Sequence, residues 1–223
     1  MQFIKTTDWD EGTAALTERL RTELGHHKRV LWLLCGGSNI TASVQVMEKL
    51  DDEATKNLAI FLTDERFGEV GHADSNSKQL YDAGFKPKQA VFVPMLAPDL
   101  SLQQTQERYA QAMKRAVDHA DVIIAQFGIG SDGHIAGILP HSTAVTADGW
   151  LAGYEASPYT RITLTFEALR HISVAFAMAF GNEKRQALEQ LRDENLTLDD
   201  EPSQILKELP EAYIFNDQIG EKA

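Results

Sequence analysis

Among the residues that could do chemistry together, the first pair is Asp132 and His134, an acid and an imidazole two positions apart within Gly128-Ile-Gly-Ser-Asp-Gly-His134. Glycines let the backbone come close to a ligand, and an imidazole ordinarily titrates near neutrality. A carboxylate beside it fixes its tautomer and raises its basicity, so the pattern suits general-base catalysis. Taken alone, a surface turn that merely uses Asp and Gly for its geometry would read the same way. The glycines also match Gly-x-Gly-x-x-Gly, the dinucleotide fingerprint, with Asp148 about 20 residues beyond the first of them. That fingerprint needs a full helix starting at the turn. Pro140 follows seven residues after Gly133, and no helical period precedes Trp150, so a dinucleotide is not expected.

A second group of residues could hold an anion. Cys35-Gly-Gly-Ser-Asn39 follows one apolar run and precedes a helical one, so the amides of Gly36, Gly37, Ser38 and Asn39 could cradle an anion at a helix N-terminus. It lacks the Gly-Lys-Ser/Thr ending of a P-loop, and a tight turn would need glycine anyway. Asp64-Glu-Arg66 lies just past another apolar run, where two acids and a guanidinium could be a solvated face or part of a site. Arg161 offers a planar fork for phosphate and Lys184 a point charge at a helix start. His26, His27, His72, His119 and His171 read as structural or solvated, and His141 stays open. No His-Glu-x-x-His or Cys/His spacing is present, so neither a metal nor another cofactor is expected.

These groups need elements to position them. Apolar runs at Val30–Leu34, Leu58–Leu62, Ala90–Val93 and Val122–Phe127 read as buried strands. Between them lie helical stretches: Asp10 to Leu24, with Leu16, Leu20 and Leu24 on one stripe; Ala42, Val46 and Leu50; and a helix opened by the capping-box pattern Ser101 to Gln104. Further strands are expected at Trp150–Ala156, Arg161–Thr165, Ile172–Phe180 and Tyr213–Phe215, with helices at Glu183–Glu194 and Ser203–Leu209. The alternation predicts an open, mainly parallel, doubly wound α/β sheet, Rossmann-like in a modified form, with helices on both faces. Ligands of such sheets bind beyond the carboxyl ends of the strands, where three of the motifs fall.

Composition narrows the class. The 223 residues carry no linker-like stretch and no repeat, so 1–223 is expected to be one domain. A formal net charge of −12 excludes nucleic acid as a partner, because phosphate backbones are bound by clustered Lys and Arg. No apolar run approaches the ~18 residues of a membrane span, and no signal-peptide pattern opens the chain, so a cytoplasmic protein without membrane contact is expected. The single Cys35 allows no internal disulfide. Any anion pocket must be local, made of amides and a few cations.

Taken in order, the motifs resemble those of the 6-phosphogluconolactonase family, which shares a superfamily with glucosamine-6-phosphate deaminases. Cys35-Gly-Gly-Ser-Asn39 is similar to the family's Ser-Gly-Gly-Ser-Thr turn, and Asp64-Glu-Arg66 with Asp74-Ser-Asn76 to its Asp-Glu-Arg and Ser-Asn segment. Gly128 to His134 with Pro140 resembles Gly-x-Gly-x-Asp-Gly-His-x-Ala-Ser-Leu-Phe-Pro; Arg161-Ile-Thr-Leu-Thr165 and Gly181-Asn-Glu-Lys184 resemble Arg-Ile-Thr-Leu-Thr and Gly-x-x-Lys. The resemblance implies cofactor-free hydrolysis of 6-phosphoglucono-δ-lactone in the pentose phosphate pathway. It makes His134 the general base and Asp132 its support. It gives the phosphate to the Gly36–Asn39 turn, Arg161 and Lys184, with Asp64 and Arg66 at the sugar and carbonyl end. Separately, a monomer or small homo-oligomer is expected. Cys35, Asn39, Gly137-Ile-Leu139, Phe166 and Arg170 depart from the family pattern and bear on substrate fit rather than chemistry. The deaminases carry a catalytic Glu where Leu139 stands, which sets deamination second; a non-catalytic sugar-phosphate sensor would normally need an added module.

Overall fold

The computed structural model describes residues 1–221. In chain order its elements are β1 (Gln2–Lys5), α1 (Trp9–Gly25), β2 (Val30–Leu34), α2 (Ile40–Lys49), β3 (Leu58–Leu62), β4 (Asp64–Arg66), α3 (Asn76–Asp82), β5 (Val91–Val93), α4 (Leu102–His119), β6 (Val122–Phe127), β7 (Leu151–Ala156), β8 (Tyr159–Leu164), α5 (Phe166–Leu169), β9 (Val174–Met178), α6 (Arg185–Asp193) and β10 (Glu211–Asn216). Short 3₁₀ turns at Gly37–Asn39 and Asn182–Lys184 lead into α2 and α6. Among the described residues no helix is long and apolar enough to cross a membrane.

The apolar runs become a seven-stranded sheet ordered β1-β10-β9-β6-β2-β3-β5, each pair of neighbours parallel. Strands β2, β6 and β9 are buried at every residue, which requires cover on both faces. α1 packs on α2 and over β2, β6, β9 and β10, burying Leu16, Leu20 and Leu24 as its stripe predicts. Asp8 caps α1 by accepting from the Asp10 amide at 2.8 Å, and the Ser101/Gln104 box at the head of α4 closes in both directions. The adjacent strands β2 and β6 hand the chain on in opposite directions, to β3 on one side and β9 on the other, so the switch point lies between them.

The remaining strands form what the sequence did not foretell, a separate antiparallel sheet ordered β4-β8-β7. The strands expected at Trp150–Ala156 and Arg161–Thr165 do exist, close to those bounds, but outside the parallel sheet. β4 is the charged Asp64–Arg66 segment, a strand because β8 pairs with it. The helix expected at Ser203–Leu209 is a 3₁₀ turn, Pro202–Lys207. Pro202 stands at its first position, where a missing donor costs nothing, and the free Ser203 amide donates to the Gly133 carbonyl at 2.9 Å, tying the turn to the Gly128–His134 loop.

Tyr109 of α4 joins this helix to the end of β3. Its buried hydroxyl accepts from the Leu62 amide at 2.7 Å and donates to the Leu62 carbonyl at 3.0 Å. Tyr109→Phe strands both backbone groups without water, and we expect a loss of ~1–3 kcal/mol in urea unfolding. An unchanged unfolding midpoint would show that the two bonds contribute nothing net.

Candidate active site

The loops after β3, β2, β6 and β9, four neighbouring parallel strands, open onto one cavity of about 370 Å³. Its lining includes Gly36, Gly37, Ser38, Asn39, Asp64, Arg66, His134, Arg161 and Lys184, together with Cys35, Asn76, Gly130 and Gly137. Of the residues expected from the sequence to act on or bind substrate, Asp132 alone is set back from the lining, and it meets the cavity through His134.

After β6 the chain from 128 to 150 makes no helix, as the early Pro140 predicts. It folds instead into a tight loop in which Gly130 N–H donates to the His134 carbonyl at 3.0 Å and Gly133 N–H to the Gly130 carbonyl at 3.1 Å. Ile129 bridges Ile135, and Ile135 bridges Ile138, pinning both ends in the core. Asp132 Oδ1 accepts from the His134 amide at 3.1 Å and lies 2.6 Å from His134 Nδ1. A carboxylate only accepts, so a proton sits on Nδ1, and in the neutral imidazole Nε2 carries the lone pair. The bond from His134 holds the Asp132 carboxyl at about 2, against the opposing effect of partial burial.

The anion side is built on strand ends. Gly37 takes φ +67, a conformation that favours glycine, to turn β2 into the 3₁₀ entry of α2. The N–H groups of that first turn lack intrahelical partners, which is the usual basis of anion binding there. Beneath it, Gln126 Nε2 donates to the Asn39 carbonyl at 3.0 Å, and Ser43 Oγ donates to Gln126 Oε1 at 3.0 Å. Lys184 enters from the head of α6. Burial pushes its ammonium below the ordinary lysine value, with Glu183, Cys35 and Asp217 opposing. Burial, with Asp64 adding to it, pushes the Cys35 thiol up to about 12, so this pocket cysteine is a neutral thiol and no nucleophile.

Arg66 and Arg161 face each other directly in the β4–β8 register. Arg66 Nη1 donates to the Asp74 carbonyl at 2.7 Å, while the buried Nε atoms of both arginines have no partner among the described residues. Like charges opposite one another across strands are unfavourable unless an anion joins them. Asp64 is buried beside them, with Thr63 Oγ1 donating to its Oδ1 at 3.1 Å and Asn76 Nδ2 to its backbone oxygen at 2.9 Å.

Several residues here were given no role from the sequence. Glu65 is fully buried and accepts from the amides of Arg66, Asn76 and Ser77 and the hydroxyl of Ser75, so it holds β4 to the head of α3. Burial pushes its carboxyl up, and those amides oppose the shift. Asn76 packs on Gly36, where a Cβ would stand 2.0 Å from its Oδ1. Tyr154 donates to the Gly137 carbonyl at 2.6 Å and accepts from Leu139 N–H at 3.3 Å, fastening the far side of the loop. The Asp64-Glu-Arg66 and Ser-Asn76 motif matches took in Glu65 and Asn76 without giving either a role, and nothing pointed to Tyr154. His141 lies outside the cavity lining, its Nδ1 2.9 Å from Asp199 Oδ2, and that bond raises its pKa. His72 and His119 each bind a backbone carbonyl, and His171 lies against Trp150. Among the described residues no three His, Cys, Asp or Glu side chains cluster so as to hold a metal ion.

Comparison with known proteins bears on family and fold. Residues 9–214 match the family model described as glucosamine-6-phosphate isomerases/6-phosphogluconolactonase. A 6-phosphogluconolactonase of Helicobacter pylori strain J99 is 30% identical over 205 residues, covering 87% of this chain and 88% of its own. The crystal structure of a 6-phosphogluconolactonase from Shewanella baltica superposes with a TM-score of 0.81 at 17% identity, covering 97% of each chain. A monomeric glucosamine-6-phosphate deaminase superposes with a TM-score of 0.76 at 18% identity, again covering 97% of each, so the fold alone does not separate the two chemistries. The chain belongs to the glucosamine-6-phosphate isomerase/6-phosphogluconolactonase family.

Proposed function

We propose that the chain hydrolyses 6-phospho-D-glucono-1,5-lactone to 6-phosphogluconate, with His134 as general base. The observation that carries this reading is that the Asp132-supported His134 opens onto the same cavity as the Gly36–Asn39 turn, Lys184, Arg161 and Arg66. In this reading the phosphate sits among the turn amides, Lys184 and the arginine pair, and Asp64 faces the sugar hydroxyls. Nε2 of His134 takes a proton from water as the water oxygen bonds to the lactone carbonyl carbon. The tetrahedral oxyanion then collapses, the ring C–O bond breaks, and the departing ring oxygen receives the proton from His134. Base catalysis of this kind contributes ~10²–10⁴-fold, adequate for an already reactive ester held in place. No cofactor enters the scheme.

The curated Helicobacter pylori relative carries the lactonase name, which supports the same choice. Deamination of glucosamine 6-phosphate is the second reading, favoured by Asp64 in the cavity and by the shared fold. Against it stands Leu139, an apolar side chain packed on the core at the place of the deaminase Glu. We read 1–223 as one domain, since both sheets contribute to one buried cluster, and as a cytoplasmic enzyme for a small anionic substrate, monomeric or a small homo-oligomer. A pH-stat assay on freshly generated lactone should show acid release well above the spontaneous rate. A rate no higher than the spontaneous one rejects hydrolysis, and ammonia release from glucosamine 6-phosphate would select the deaminase instead.

A further inference from the structure

Tyr159 lies outside the cavity lining, yet its geometry ties it to both arginines that enter there. It stands two residues before Arg161 on β8, so both side chains project from the same face of the sheet, and Arg66 is the direct cross-strand partner of Arg161 on that face. The Arg66 guanidinium carbon lies over the Tyr159 ring at 5.3 Å from its centroid, and that of Arg161 at 6.0 Å. The phenol donates to Asp74 Oδ1 at 3.3 Å, and the backbone oxygen of the same Asp74 accepts from Arg66 Nη1 at 2.7 Å. Ring, arginine and loop therefore close on one another.

We propose that Tyr159 is a positioning residue, whose ring holds the two mutually repelling guanidinium groups side by side toward the anionic end of the substrate. This rests on the sugar-phosphate reading above. The faces of the ring carry negative electrostatic potential, so one aromatic ring attracts both cations and offsets part of their repulsion before substrate arrives. Without the ring less opposes the repulsion between the two guanidinium ends, and the substrate would have to draw them together on binding. That cost falls on affinity and leaves the His134 step alone.

The test compares Tyr159→Leu, Tyr159→Met and Tyr159→Phe with the wild type. Two cation–ring contacts correspond to roughly a tenfold change in affinity. The Leu and Met variants should raise KM for the phosphorylated lactone about tenfold with kcat within about twofold, and weaken 6-phosphogluconate binding in calorimetry by a similar factor. Tyr159→Phe keeps the ring and should stay within about threefold of wild type on both measures. Using both Leu and Met guards against one variant failing to fold, which thermal melting reports. A KM within about twofold of wild type in a folded Leu or Met variant overturns the proposal, as does a fall in kcat at constant KM, or a Phe variant as impaired as Leu. If the wild type hydrolyses no lactone, the functional reading fails, and the binding comparison, which needs no turnover, decides on Tyr159. Absence of 6-phosphogluconate binding to the wild type overturns both.

Discussion

Replacing His134 with glutamine is expected to lower kcat for lactone hydrolysis by ~10²–10⁴-fold while changing 6-phosphogluconate affinity by no more than about threefold. Glutamine fills much of the imidazole volume and stays polar, but it has no basic nitrogen. The phosphate-facing groups lie on other segments, the turn after β2, strands β4 and β8 themselves and the turn after β9, so binding should survive. Asp132→Asn tests the support separately. Its side-chain amide can donate to Nδ1, which would favour the tautomer with the proton on Nε2 and leave no lone pair facing the cavity. Because the Asp132 carboxyl is held at about 2, it is ionised throughout the neutral range, and its own titration cannot set the acid limb of the rate profile there. The sign is fixed: a carboxyl lowered in this way loses its charge only as the pH falls through that value. Stopped-flow or pH-stat assays of both variants check these points. Unchanged turnover in the His134 variant would move the base elsewhere, with Asp64 the next carboxylate in the cavity.

Much of this arrangement could be read along the chain, and the part that could not has a common physical cause. Strands β2, β3 and β6 are continuous apolar runs because both faces are covered, so local composition is enough to find them. The loops that follow them stand out because close turns need glycine. Strand β4, by contrast, is three polar or charged residues, and it is a strand only by its register with β8 about a hundred residues later. Glu65 shows the same limit. A carboxylate is normally expected in solvent, and its burial makes sense only beside donors from Ser75, Asn76 and Ser77, brought back by a loop. At the edge of the sheet, β1 was invisible since Phe3 is the only one of its four residues that is fully buried. The placement of Arg66 directly opposite Arg161 is likewise a fact of pairing and carries no local signal.

Glycine at 130 leads to the second large effect. A Cβ placed there would stand 2.1 Å from His134 Nδ1, 2.4 Å from His134 Cε1 and 2.5 Å from Asp132 Oδ1. No contact that close is tolerated, so something must move, and the atoms in the way are the dyad itself. The backbone at this position is not in the left-handed region, unlike Gly133 at φ +77, where a Cβ would also meet Glu201. Gly130→Ala should therefore fold nearly as well as the wild type: alanine narrows the unfolded ensemble, an effect of ~0.4–1 kcal/mol that offsets local strain. Displacing a catalytic group by about 1 Å can cost 10²-fold in rate, and here acid and base are pushed apart together, so a fall in kcat of at least ~10²-fold is expected. Gly133→Ala should lose stability as well as activity, because its backbone conformation is itself disfavoured for a side chain. Measuring kcat and thermal unfolding for the pair separates the two costs. Full activity in Gly130→Ala would mean that His134 can work from another rotamer, and that its bond to Asp132 is not what prepares it for proton transfer.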